Sequence, residues 1–277
     1  TIPVEPPPGL SEKTRAYLNG RGFSDLTLRR FKITDGEEWM PQENGTVNTI
    51  RFPYYREEKL VNIKYRSAKK GFKLAKDAEL IFFHLDSIAG AEECVITEGE
   101  PVCMSVYEAG IKEVVSVPNG ASKGNGAKLQ YLDNCYEYFT GMKRIIIATD
   151  GDAAGLALRD ELARRLGRHR CLYVVYPEGC KDCNEVLLRH VKDKSAPTPA
   201  EIQAGIEDVK RIIQEALSFP IEGVHQVQDF EPDLDALFHY RGARRGDMIG
   251  YREFDGIFSV KRGQFTVVTG IPNNGKS

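Results

Sequence analysis

The run Arg144-Ile-Ile-Ile-Ala-Thr-Asp-Gly-Asp-Ala-Ala-Gly155 decides the fold. Its first half is a short, β-branched apolar stretch closed by a turn, the pattern of a strand covered on both faces. Its second half places Asp150 and Asp152 directly after that strand and leads into a helical stretch. The same grammar recurs at Cys94–Thr97, Val114–Val117 and Cys171–Tyr176. Strands alternating with helices predict an α/β fold, a parallel sheet with helices on its faces, and ligands in that architecture sit at the carboxyl ends of the strands.

The flanks read differently. Pro3, Pro6, Pro7 and Pro8 make residues 1–10 a stiff extended linker leading in from something upstream. Residues 11–92 read as a small N-terminal α+β subdomain. Ser11 caps a helix stopped at Gly20, Ser24 caps a second one carrying Leu26, Leu28 and Phe31, and strands follow over Thr46–Phe52 and Lys59–Ser67. The parallel-sheet domain occupies 93–194. Near Ser195 a Pro-rich joint opens a helical and irregular linker over 195–262, with a helix over Ala200–Leu217. A last strand over Phe265–Thr269 begins the segment 263–277.

Composition narrows the classes. With 277 residues, 41% of them hydrophobic, the chain can bury a substantial core in one or two domains. No window approaches the roughly 18 apolar residues of a membrane span, and no signal peptide opens the chain, so no membrane partner is expected. The expected compartment is the cytoplasm of a bacterial or phage-infected cell, or a mitochondrion. Six cysteines in a chain this long are no secreted disulfide framework, and Cys180-x2-Cys183 lacks the second ligand pair of a structural zinc. A net charge of −2 announces no global field for nucleic acid, so any basic surface is local.

Three carboxylates gather at one edge of the predicted sheet, because Glu98 follows the first parallel strand and Asp150 and Asp152 follow the third. Hard oxygen ligands in such a group suit Mg²⁺ or Mn²⁺ held with waters and substrate phosphates. Asp150, Asp152, Gly155 and Glu161 also match part of a calcium-binding EF-hand loop, but Ala154 stands where an oxygen ligand is needed and a strand precedes the loop. Upstream, Leu60–Arg66 alternates, with Val61, Ile63 and Tyr65 on one face and Asn62, Lys64 and Arg66 on the other. Lys64 and Arg66, with Lys69, Lys70 and Lys73, form a basic stretch suited to nucleotide phosphates or a template backbone. Gly270-x4-Gly275-Lys276-Ser277 reads as an ATP-binding P-loop, whose amides and lysine surround phosphates and whose serine holds Mg²⁺. The chain stops there, so ATP hydrolysis is expected of a longer parent.

Val95-Ile-Thr-Glu-Gly-Glu100, Ala148–Gly155 and Lys181-Asp-Cys-Asn-Glu185 resemble the successive motifs of the Toprim domain of primases and topoisomerases. Val115–Ser122 is similar to the phage-type bifunctional primase-helicases, the Twinkle-like family. The resemblance implies Glu98 as general base or metal ligand, Asp150 and Asp152 as metal ligands, and Asp182 as an auxiliary acid. It also implies that Lys64, Arg66 and Lys70 meet the incoming nucleotide. The function implied is Mg²⁺-dependent synthesis of RNA primers from nucleoside triphosphates on single-stranded DNA, with ATP-driven unwinding in a ring-shaped homo-oligomeric parent. Family members usually carry an aspartate four residues after the glutamate, where this sequence has Val102. That departure speaks for an alternative in which the domain is a DNA-binding platform for the helicase. A Toprim nuclease using the same metals is the other alternative.

Overall fold

A computed structural model describes residues 9–119, 129–220, 230–239, 246–263, 265, 267, 269 and 270. The chain falls into two units, 1–220 and 221–277. In the first, helices α1 (Glu12–Gly20) and α2 (Asp25–Arg30) start where Ser11 and Ser24 take extended backbone and accept the amides of Thr14 and Thr27. Leu28 and Phe31 are buried as expected, whereas Leu26 is exposed.

An antiparallel sheet follows in chain order: β1 (Thr34–Met40), β2 (Gly45–Arg56), β3 (Lys59–Ser67) and β4 (Phe72–Leu74). Strand β1 reads Thr-Asp-Gly-Glu-Glu-Trp-Met, without the apolar alternation that marks a strand, and pairing with β2 makes it one. The period of two along β3 holds, but both faces are covered. Ile63 and Tyr65 pack with Met40 in a small cluster of their own, while Asn62 and Lys64 are buried on the other side. On the face expected to meet phosphates, Lys64 is therefore buried.

The second sheet has the order β6-β5-β7-β8-β9, formed by β5 (Glu93–Thr97), β6 (Val114–Ser116), β7 (Arg144–Ala148), β8 (Cys171–Tyr173) and β9 (Leu217–Ser218). All neighbours are parallel except β9, which runs against β8. The apolar runs become strands because helices cover them: Ile96, Ile145 and Ile147 are almost fully buried. The connecting helices are α3 (Glu100–Glu108), α4 (Gln130–Phe139), α5 (Ala153–Leu166), α6 (Cys183–Leu187) and α7 (Pro199–Gln214). Helix α7 starts at a capping box of Thr198 and Glu201 and buries Val209, Ile212 and Ile213. A Cβ on Gly205 would lie 1.9 Å from the Leu187 carbonyl oxygen, so glycine lets α7 approach α6. The first unit runs to Pro220.

One hydrophobic core joins the two sheets. Phe83 lies at the seam, with ring centres 5.4 Å from Phe31, 6.0 Å from Phe52 and 5.2 Å from Tyr54.

The second unit contains α8 (Glu231–His239), α9 (Arg252–Asp255) and a bridge between Asp247 and Val260. The strand expected over Phe265–Thr269 is not formed at its described residues: Phe265 and Val267 are largely exposed, and no strand pairs with them among the described residues. Gly275, Lys276 and Ser277 of the expected P-loop lie outside the described residues, and Gly270 is at their edge. No described helix is long and apolar enough to cross a membrane.

Candidate active site

Parallel pairing puts the ends of β5 and β7 level, with Thr97 opposite Ala148. Glu98 and Asp150 therefore leave neighbouring strands at the same edge of the sheet. Glu98 Oε2 accepts the Asp150 N–H at 3.0 Å. Thr149 Oγ1 donates to the Gly155 carbonyl at 2.8 Å and closes the turn. A Cβ on Gly155 would lie 2.1 Å from the Asp150 carbonyl oxygen and 2.8 Å from Glu98 Oε2, so the turn admits only glycine there.

Asp152 is the N-cap of α5, and its Oδ1 accepts the amides of Ala154 at 3.0 Å and Gly155 at 2.9 Å. Asp182 plays the same part for α6, accepting the Glu185 amide at 2.7 Å. The Gly151 amide donates to the Lys181 carbonyl at 2.8 Å, which ties the Asp150 and Asp182 loops together. Glu161 is engaged by Arg164 and Arg165, each at 2.8 Å, so it does not act as the last ligand of a calcium loop.

Electrostatics marks Asp150. Burial, then the negative charges of Glu98, Asp182 and Asp152, push its carboxyl up to about 7, against a smaller opposing effect of Lys181. Burial also raises Asp182 above the usual carboxylate range. Among the described residues no group of three or more acidic, histidine or cysteine side chains is arranged, as it stands, to hold a metal ion. Part of the reason is visible: Glu98 and Asp152 spend oxygens on amides. The donor set is nevertheless of hard oxygens crowded by like charge, the environment that a divalent cation with waters and phosphates relieves. The donor chemistry suits a divalent cation in that sense.

The cations are placed unequally. A cleft of about 460 Å³ is lined by Arg21, Arg66, Glu98, Asp150 and Asp182, with Lys64 and Val102 in its wall. It borders a wider one of about 1200 Å³ that shares Arg21 and Arg66 and adds Lys70, Lys181, Arg189 and Lys194. Lys70 lies in the β3–β4 turn and is exposed. Lys64 departs from expectation, since its Nζ is bonded to the buried Glu100 carboxylate. Lys73 departs too: it pairs with Tyr65 across β3 and β4, which sets it on the opposite face, and its Nζ meets Glu38 at 2.6 Å. Arg21, Glu100, Arg189 and Lys194 were not expected. Only Glu100 had a signal, its place beside Glu98 in the motif; Arg21 reaches the site through Asn184, whose Oδ1 it meets at 3.0 Å.

Comparison with known proteins agrees with this fold. A family model described as Toprim-like matches residues 95–187. The chain is 35% identical to the Arabidopsis thaliana Twinkle homolog protein, chloroplastic/mitochondrial, over 100% of this chain and 38% of that protein. It is 36% identical to the Arabidopsis thaliana primase homolog protein over 68% of this chain and 58% of that one. The chain thus spans less than two thirds of the length of these curated relatives. The crystal structure of the primase fragment of the bacteriophage T7 primase-helicase is similar with a TM-score of 0.52 and 27% identity, covering 68% of this chain and 72% of that chain.

Proposed function

The chain belongs to the Twinkle-like primase-helicase family and carries a DNA primase-like module, and from that premise we propose that the module joins ribonucleotides into primers on single-stranded DNA. The observation that carries the reading is the meeting of Glu98, Asp150 and Asp182 with Arg21 and Arg66 around one cleft. A nucleoside triphosphate with divalent ions needs both: carboxylates for the ions and cations for the phosphate oxygens. When bound, Mg²⁺ or Mn²⁺ would supply charge neutralisation at the reacting phosphate. Glu98 and Asp150 would hold it, with Asp182 in the same cleft and Asp152, the cap of α5, as a further carboxylate beside Asp150. Arg66 and Arg21 would orient the triphosphate, and the wider cleft, with Lys70, Arg189 and Lys194, would take the template backbone.

The test is primer synthesis from ribonucleotides on single-stranded DNA with Mg²⁺ or Mn²⁺. Oligoribonucleotide products from the parent and none from Asp150→Asn are expected. DNA binding without any product sinks the reading in favour of the platform. One observation favours that second reading: Val102, at the position where the family usually has aspartate, is buried at the wall of the cleft and supplies no oxygen.

A P-loop over 270–277 would serve ATP-driven unwinding in a longer, ring-shaped parent. In place of the bacterial or phage-infected cell expected above, we propose a chloroplast or mitochondrion, as the name of the Arabidopsis relative suggests.

A further inference from the structure

Lys64 was expected to face phosphates, yet its ammonium is enclosed. Nζ donates to Glu100 Oε1 at 2.8 Å and to the Pro118 carbonyl at 2.7 Å, and the Tyr54 hydroxyl donates to the same Glu100 oxygen at 2.5 Å. The Lys64 side chain is 10% exposed and that of Glu100 is 3% exposed. Burying a carboxylate this deeply calls for a cationic partner within hydrogen-bond distance, and Lys64 is that partner.

The four groups sit on different parts of the fold. Tyr54 and Lys64 belong to β2 and β3 of the antiparallel sheet. Glu100 opens α3, two residues after Glu98. Pro118 follows β6 and lines the acidic cleft with Asn119. One ammonium therefore fastens the antiparallel sheet to the chain leaving β5 and to the chain leaving β6, on two sides of the cleft. We propose that Lys64 is a positioning residue, which through Glu100 and the Pro118 carbonyl fixes the backbone that presents Glu98 and the Pro118–Asn119 wall. Phosphate contacts fall to Arg66, Arg21 and Lys70. Its consequence for catalysis rests on the metal-site reading above; the fastening itself does not.

The experiment uses the whole chain as parent, Lys64→Met, Glu100→Gln and the double variant. Amide hydrogen exchange is followed over residues 98–104 and 114–119, Mn²⁺ affinity by calorimetry, and ATP affinity in the presence of Mn²⁺. Both single variants are expected to speed exchange in those two segments while the rest of the sheet stays protected. Both should weaken Mn²⁺ binding by about tenfold or more, the size usual for residues that orient ligands from behind. The double variant should be no worse than the worse single one, because the pair acts as a unit.

The contrary result is distinct. If Lys64→Met weakens ATP alone, with exchange and Mn²⁺ affinity at parental values, and Glu100→Gln tightens ATP by freeing the ammonium, then Lys64 is a phosphate ligand and the proposal fails. A lower melting temperature with unchanged local exchange and Mn²⁺ affinity also overturns it. A parent that binds no Mn²⁺ removes the metal-site reading, and the exchange data alone then decide the fastening. Should a single variant not fold, the double variant decides: faster exchange in both segments upholds the proposal and parental exchange ends it.

Discussion

Glu98 Oε2 accepts the backbone N–H of Asp150 at 3.0 Å, across the boundary between two parallel strands that are 52 residues apart in sequence. One carboxylate thus fixes the backbone of the other. The bond also holds two like charges at one sheet edge, with Gly155 leaving room for both. Burial first, and that crowding after it, raise the Asp150 carboxyl.

Asp150 should make the metal-free protein pH-dependent in a specific direction. Its pKa is about 7 in the fold and near the ordinary aspartate value of 3.8 in the unfolded chain. Between those values the folded state holds a proton that the unfolded state has lost. Stability contributed by this group is therefore full below about pH 4 and declines as pH rises to about 7. With chelator present, Asp150→Asn should raise the melting temperature at pH 8 and change it little at pH 4. Equal shifts at both values would show that Asp150 ionises normally.

Asp152 separates capping from metal binding. Asparagine caps helices about as well as aspartate, so Asp152→Asn should leave the melting temperature close to that of the parent and reduce Mn²⁺ affinity by about tenfold or more. Asp152→Ala should lose both, with a stability cost of roughly 1 kcal/mol for the cap. Calorimetric titration and thermal denaturation of the two variants are the check. Unimpaired Mn²⁺ binding by Asp152→Asn would confine this residue to the helix terminus.

The cations divide by face. Arg66→Ala and Lys70→Ala should each weaken single-stranded DNA binding and reduce the slope of log affinity against log salt by roughly 0.7. Lys73→Ala should leave binding and slope alone, because Lys73 is held by Glu38 behind the sheet. Tyr65→Ala should instead destabilise by about 3 kcal/mol, the order expected for a buried aromatic. Fluorescence anisotropy across a salt series distinguishes these variants. A Lys73→Ala protein that loses as much affinity as Arg66→Ala would mean that the DNA crosses the other face.

The parallel sheet and its acidic edge were legible because both follow from local rules. Short β-branched runs such as Arg144–Ala148 are stable only with both faces covered, and a strand in such a sheet delivers the next residue to the ligand edge. Ser11 and Ser24 marked their helices for an equally local reason, an unpaired amide three residues on. Strand β1 was illegible because pairing with β2, not its own pattern, makes it a strand. Burial pushes its Asp35 up, but hydrogen bonds from the Ser11 hydroxyl and amide, Thr14 and Asn48 outweigh burial and bring it down to about 2.

What the sequence by itself determined was which residues reach the carboxyl edge of the sheet: Glu98, Asp150, Asp152 and Asp182. Only the tertiary structure decided which cations join them. Alternation along β3 put Lys64 and Arg66 on one face but could not say that this face packs on α3, where Glu100 takes up the charge of Lys64. Arg21 reaches Asn184 across 163 residues of sequence, and Lys73 turns away from the site through its register with Tyr65. Strand period is a property of a few adjacent residues. Ion pairing across a packed seam depends on distances that no segment of the chain contains.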